Sequence, residues 1–293
     1  MTAARLGGCY VDKTLDWKSL APFTTLGLDE IALRKGHRNF VCVVTALDAA
    51  GQVRVLAILS DRRKQTVLDF LLSIPTSFKE RIERVCSDMY DGFINAVREA
   101  LPQADIVIDR FHVAKHYNKG VDDLRKTTLK TLKQDLPKDT CDAFKGTMWA
   151  FRRHFWDLTK EQRERLVLLF AYAPDLRRAW LLRHELFLIY QAHYTPDEAA
   201  ADFDLWVQKV RASGLTCFDE FIQQLNTSRS GILAYFNGRY TSGFVEGMNN
   251  RLKVIKRRCF GLLDAGKLFQ RIQIDLQERT GCLSLWQNTT SCG

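Results

Sequence analysis

The sequence predicts a mixed α/β core interrupted by a large all-α segment, and three observations lead there. The first third alternates short β-rich runs with stretches of helical periodicity. From about Gly120 to Ser230 the pattern is helical throughout, with few glycines and little alternation. The final segment then returns with one amphipathic, basic helix. At 293 residues, 46% hydrophobic and 26% charged, the chain can bury a sizeable core and is too ordinary in composition for disorder. No apolar run approaches the roughly 18 residues of a membrane span, and the amino end lacks the apolar stretch of a secretory signal. The expectation is a cytoplasmic protein with no membrane partner. The net charge of +9 points to a polyanionic partner instead. Eight scattered cysteines with no C-x-x-C pair argue against a zinc ribbon or redox dithiol, so buried thiols are expected.

Phe23 to Leu33 (FTTLGLDEIAL) is β-rich with a single acidic pair, and Phe40 to Leu47 (FVCVVTAL) is almost wholly apolar and β-branched. Both read as strands, joined by a turn at Gly36. A second turn, AAGQ, precedes a third strand at 53–60. Lys64 to Ile74 places Val67, Leu68, Leu71 and Leu72 at helical spacing. Arg84 to Asp88 reads as a short strand, Tyr90 to Leu101 as a helix stopped by Pro102, and Ala104 to Asp109 as strand again. Three meander strands followed by helix, strand, helix, strand match a ribonuclease H-like topology better than a doubly wound sheet, whose first strands would need helical crossovers. That order sets the first strand beside the fourth, and they bear Asp29 and Asp88. Adjacent acids repel unless a divalent cation is shared between them.

In the helical middle, Thr159 with Gln162 and Thr195 with Glu198 fit the capping-box pattern, and Pro196 suits a first helical position. Breaks at Pro137, Pro174 and Gly214 divide the rest into five or six helices. The four tryptophans here, Trp149, Trp156, Trp180 and Trp206, are expected in the core, nucleotide stacking being the alternative.

After the turn at Thr241 to Gly243 comes a helix whose surroundings, Arg239 to Arg258, hold six basic residues and one acid, Glu246. An acid this early in a helix is favoured by the macrodipole. Helical spacing groups Glu246, Asn249, Asn250, Lys253 and Arg257 on one face, opposite Phe244, Met248, Leu252 and Ile255. Two acids on neighbouring strands and a third on a basic helix suit two-metal phosphoryl transfer, with carboxylates for the ions and cations for a nucleic-acid backbone.

Four blocks carry a family resemblance: LGLDE with RKGH, SDMYDGFINAVREALPQADIVIDRFHVAKHYN, LTKEQRERL, and GILAYFNGRYTSGFVEGMNNRLKVIKRRCFG. Together they resemble the ISL-three family of bacterial insertion-sequence transposases, DDE enzymes with a ribonuclease H-like core, from about Leu26 to about Ile274. The resemblance implies Asp29, Asp88 and Glu246 as catalytic residues and ligands of two Mg²⁺ or Mn²⁺ ions. The spacings, 58 residues within the first pair and 157 within the second, agree with a helical insertion before the Glu. It implies metal-dependent cleavage and strand transfer on double-stranded DNA, at transposon ends and target, by a chain that self-associates on DNA and is nucleoid-associated when bound.

The expected parts are 1–118 as the first part of the catalytic core, 119–238 as the helical insertion, and 239–293 as the closing helices and tail. Candidate DNA contacts are Asn249, Asn250, Lys253, Lys256, Arg257 and Arg258, with Arg34 and Lys35 in the RKGH turn. Glu30 alternates to the opposite strand face from Asp29. Asp91, Asp109 and His112 are auxiliary candidates; a cap is the alternative for Asp91, and a structural salt bridge is favoured over a metal-site role for Asp109. His112 and His116 have i, i+4 spacing, but with no third ligand nearby zinc is not expected. The family's usual amino-terminal zinc-ribbon and helix-turn-helix region is expected to be lacking. The rival readings are an inactive DNA-binding remnant and a structure-selective nuclease with the same core.

Overall fold

The computed structural model describes residues 4–6, 9–11, 15–33, 40–259 and 264–275. Arg34, Lys35 and the Gly36 turn lie outside them. The chain divides into two compact units, Met1–Asp109 with Tyr240–Gly293, and Arg110–Arg239.

The first unit is built on a five-stranded mixed sheet. A small hairpin that the sequence did not announce, β1 (Ala4–Leu6) and β2 (Cys9–Val11), precedes it. The sheet strands are β3 (Phe23–Ala32), β4 (Phe40–Asp48), β5 (Val53–Leu59), β6 (Arg84–Ser87) and β7 (Asp105–Ile108), in the order β5-β4-β3-β6-β7. The first three form an antiparallel meander; β6 and β7 join parallel to β3. This is the ribonuclease H-like order expected from the sequence. Helices α1 (Lys64–Ser73) and α3 (Asp91–Ala100) make the crossovers, with the short α2 (Thr76–Lys79) between α1 and β6. The carboxyl-terminal part adds α12 (Gly243–Arg258) and a helical stretch at 265–275.

Strand alternation divides the core in two. Leu26 and Leu28 of β3 pack with Val85, Val67, Leu71, Phe93 and Val97 on the face covered by α1 and α3. Ile31 and Leu33 turn the other way, onto Val41, Val43, Met248, Leu252 and Ile255. β3 is therefore apolar on both faces, as a central strand between helical layers must be. From Gly27 onward its odd positions face α12.

The second unit is helical: α4 (Arg110–Asp135), α5 (Lys138–Ala143), α6 (Thr147–Arg152), α7 (Lys160–Tyr172), α8 (Pro174–Gln191), α9 (Pro196–Ser213), α10 (Asp219–Thr227) and α11 (Arg229–Ala234). Both capping boxes form, Thr159 with Gln162 and Thr195 with Glu198, and Gly214 ends α9 in the left-handed region at φ 70°. There are eight helices rather than five or six. Gly146, at φ 82°, and Ser228 add breaks that no proline marks. Trp206 and Trp180 are buried, their indole N–H groups donating to Leu182 O (2.8 Å) and Phe151 O (3.0 Å). Trp149 and Trp156 are more than half exposed, which corrects the core expectation for both.

Candidate active site

Register alone brings the first two acids together. Gly27 of β3 lies opposite Cys86 of β6, and Cys86 opposite Val107 of β7. Two residues onward, on the same face, these strands lead to Asp29, Asp88 and Asp109, a row of carboxyls along neighbouring parallel strands. An oxygen of Asp29 and one of Asp88 lie within 4.8 Å of each other. Each carboxylate is held by its own backbone or a neighbour. Asp29 accepts from the Glu30 N–H (2.7 Å) and from Asn249 Nδ2 (2.6 Å). Asp88 accepts from the Tyr90 N–H (3.1 Å), which shapes the turn into α3. The negative potential registers on a neighbour. The Cys42 thiol is pushed well above its ordinary range by burial, then by Asp29 and Asp88.

Helix α12 is fixed over β3 by a missing side chain. A Cβ on Gly27 would come within 2.3 Å of Val245 Cγ2 and 3.1 Å of Phe244 Cε2, so only glycine lets the helix start lie this close. Further along, Asn249 reaches Asp29 and the Lys256 ammonium donates to Ala32 O (2.6 Å). The spacing is commensurate: four helical residues advance about 6 Å and two strand residues about 6.6 Å. Helix and strand therefore run in the same direction, contact by contact. The helix start is pinned separately, the Ser242 hydroxyl donating to buried Asp109. Asp109 thus anchors the start of α12 through the Ser242 hydroxyl.

Glu246 sits in the first turn of α12 and is exposed. It is not among the groups within 4.8 Å of Asp29 and Asp88. The Met248, Leu252 and Ile255 flank of the helix packs on β4 and β5 residues, so the opposite flank, bearing Glu246, Asn250, Lys253 and Arg257, turns toward the β6 side where Asp88 lies.

Asn249 belongs to the buried stripe Val245, Met248, Asn249, Leu252, Ile255 and is 2% exposed. The expectation of a DNA contact there is corrected: its amide orients Asp29. Its Oδ1 is buried without a hydrogen-bond partner among the described residues. Lys256 is likewise committed to the end of β3, and burial lowers its pKa. Asn250, Lys253, Arg257 and Arg258 are exposed. Glu30 faces the other way and pairs with Arg62 at 2.5 Å. Asp91 opens α3 and is exposed, and His112 lies on α4 of the helical unit.

The paired Asp29 and Asp88 carboxylates are hard-oxygen donors, which fit Mg²⁺ or Mn²⁺. A ribonuclease H-like sheet with paired acids at the ends of its central strands defines a class: metal-dependent nucleic-acid enzymes. Within it, the chain belongs to the ISL-three family of DDE transposases, whose family model, described as "Transposase", matches residues 26–272. It is 32% identical over 259 residues to the transposase for insertion sequence element IS1001 of Bordetella parapertussis, covering 88% of this chain and 61% of that protein. It is 23% identical over 255 residues to the transposase for insertion sequence element IS1557 of Mycobacterium tuberculosis, covering 80% and 56%. The chain therefore spans about three fifths of the length of these curated relatives. Membership in the family implies use of a divalent metal. Among the described residues, no helix is long and apolar enough to cross a membrane.

Proposed function

We propose that the chain carries the catalytic core of a DDE transposase, which cleaves DNA and joins strands of an insertion sequence with two Mg²⁺ or Mn²⁺ ions. The observation that carries the reading is the Asp29–Asp88 pair, with Asn249 of α12 bonded to Asp29 one helical turn after Glu246. In this reading Asp29, Asp88 and Glu246 are the metal ligands and catalytic residues. A divalent cation held by these carboxylates would supply Lewis acidity for activating water and offsetting charge on the phosphate. The chain's own part is positional. Asn249 holds the Asp29 carboxylate in one orientation, and the Tyr90 N–H holds that of Asp88. Lys253, Arg257 and Arg258 grip the DNA backbone along the same helix, and the 110–239 segment is an insertion within the core. The partners are transposon ends and target DNA, with self-association on them.

The test is a strand-transfer assay with Mg²⁺ or Mn²⁺ on a duplex with a pre-exposed 3′-hydroxyl end. Asp29→Ala, Asp88→Ala and Glu246→Ala should each abolish joined products while DNA binding persists. Undiminished nicking in any of the three removes that residue and sinks the assignment. A second reading, DNA binding without chemistry, draws on the exposure of Glu246 and its place outside the Asp29–Asp88 group. Salt-sensitive binding with no joining by the unaltered protein would establish it.

A further inference from the structure

The two strand-end acids are each oriented by the backbone N–H of a nearby residue, Asp29 by that of Glu30 (2.7 Å) and Asp88 by that of Tyr90 (3.1 Å). The side chains of those same two residues meet at one guanidinium. Arg62, in the segment between β5 and α1, donates from Nη1 to Glu30 Oε2 at 2.5 Å, and its Cζ lies over the Tyr90 ring, 4.8 Å from the centroid. It also lies over the Phe40 ring at the start of β4, at 5.2 Å. A planar guanidinium can do both at once, because it hydrogen-bonds in its plane and stacks on its faces.

The Tyr90 ring is itself held. It meets the fully buried Phe93 edge-on, with centroids 5.2 Å apart and planes at 86°. A Cβ on Gly92 would come within 2.4 Å of Tyr90 Cε1, so a side chain at 92 would displace the ring from its place under Arg62. Glu30 lies on the face of β3 that α1 and α3 cover, away from Asn249 and α12. An ion pair whose side chains are 40% and 23% exposed adds little to stability. Its consequence is geometric: one rigid group fixes the two residues whose amides aim the two carboxylates.

We propose that Arg62 is a positioning residue for the acid pair, holding Asp29 through Glu30 and Asp88 through Tyr90. It keeps the two carboxylates at the separation that a shared divalent cation requires. Asn249 steadies Asp29 alone from the α12 side, whereas Arg62 couples both acids from the other side of the sheet. This rests on the reading of Asp29 and Asp88 as metal ligands and adds the residue that links them. Groups that orient metal ligands typically change metal affinity by 10–100-fold, and the lower figure suits a residue acting through an intermediary on each side.

The test titrates Mn²⁺ into the full chain and follows the paramagnetic resonance signal of the free ion, with Asp29→Ala marking the binding that belongs to the acid pair. Arg62→Met should raise the dissociation constant of that binding about ten-fold. Tyr90→Leu keeps the N–H but removes the ring, and it should raise the constant by a similar factor. The double variant should be little weaker than either single one, since both break the same link. Arg62→Lys keeps a charge beside Glu30 but cannot lie flat on a ring, so it should recover only part of the loss. A purely structural role would lower the melting temperature and leave the Mn²⁺ constant unmoved. An Arg62→Met constant within about two-fold of the unaltered one overturns the proposal and leaves the transposase reading standing. So does an unmoved constant accompanied by a smaller salt slope of DNA binding, which would make Arg62 a phosphate contact. A rise in Arg62→Met that Tyr90→Leu does not share overturns it as well, by assigning the effect to charge alone. If the unaltered chain binds no Mn²⁺ that Asp29→Ala removes, the metal reading of Asp29 and Asp88 falls, and this inference with it.

Discussion

Asn249 is placed so that its two amide atoms do different things. Nδ2 donates to Asp29 at 2.6 Å, while Oδ1 is buried with no hydrogen-bond partner among the described residues, so one amide atom orients a carboxylate and the other is left an unpaired acceptor. Groups that orient a metal ligand typically contribute 10–100-fold to affinity or activity. Asn249→Ala should therefore raise the Mg²⁺ concentration needed for half-maximal strand transfer by about that factor, with less effect at saturating metal; a titration with an unchanged midpoint would refute the orienting role. Asn249→Asp sets a further carboxylate against Asp29, and like charges raise one of the pair's pKa values. Its pH–rate profile should shift to higher pH, since the site must lose that extra proton before both groups are anionic. The sequence showed Asn249 in the polar company of Glu246 and Lys253, and helical spacing alone placed it on the DNA-facing side. It could not show that the stripe buried against β3 is wide enough to include it.

One local contact in each unit illustrates how an element is held. In the first, α12 owes its position to Gly27, where a Cβ would overlap Val245 Cγ2 at 2.3 Å and Thr45 Oγ1 at 2.6 Å. Val245 is fully buried and β-branched, so it cannot swing aside. Gly27→Ala should cost about 1–3 kcal/mol and, by displacing α12, weaken strand transfer. Calorimetry on Gly27→Ala with Val245→Ala should recover part of the loss, and strictly additive costs would mean the two do not meet. In the helical unit, Asp122 of α4 binds Arg125 and Arg152. Burial tends to raise its pKa, but the hydrogen bonds from Arg152 and Arg125 outweigh that and hold it at about 2. A folded pKa below the unfolded one contributes stability above the unfolded value, lost as pH falls through the folded one. Asp122→Asn should therefore lower the melting temperature by a few degrees at pH 7, on the order of 1 kcal/mol after solvent screening. Unaltered protein and variant should converge near pH 2, and a gap that persists there would assign the effect to packing.

At the scale of the whole molecule, the sheet was legible because its strands are short β-branched runs bounded by turns, and the two capping boxes fixed their helix starts. The β1–β2 hairpin and α2 were not legible: three or four residues carry too little periodicity to register. Asp29 and Asp88 stood out once the strand order was known, since register alone pairs them. Asp109 did not reveal its bond to Ser242, because a contact spanning 133 positions leaves no local pattern. The same limit governs the basic helix. Composition marked every cation from Arg239 to Arg258 alike, but Arg239 is taken up by the carbonyls of Tyr190 and Ala192 and Lys256 by that of Ala32. Lys253, Arg257 and Arg258 remain exposed, without an ion pair among the described residues. Each phosphate neutralised on duplex DNA contributes about 0.9 to the slope of log K against log salt. Replacing those three by Gln should reduce the slope by about 2.7 and weaken binding uniformly across sequences. Replacing Arg239 and Lys256 should leave the slope nearly unchanged and lower the melting temperature instead. Equal slope changes from both sets, measured by fluorescence anisotropy over a salt series, would show that net charge rather than the geometry of α12 governs the encounter with DNA.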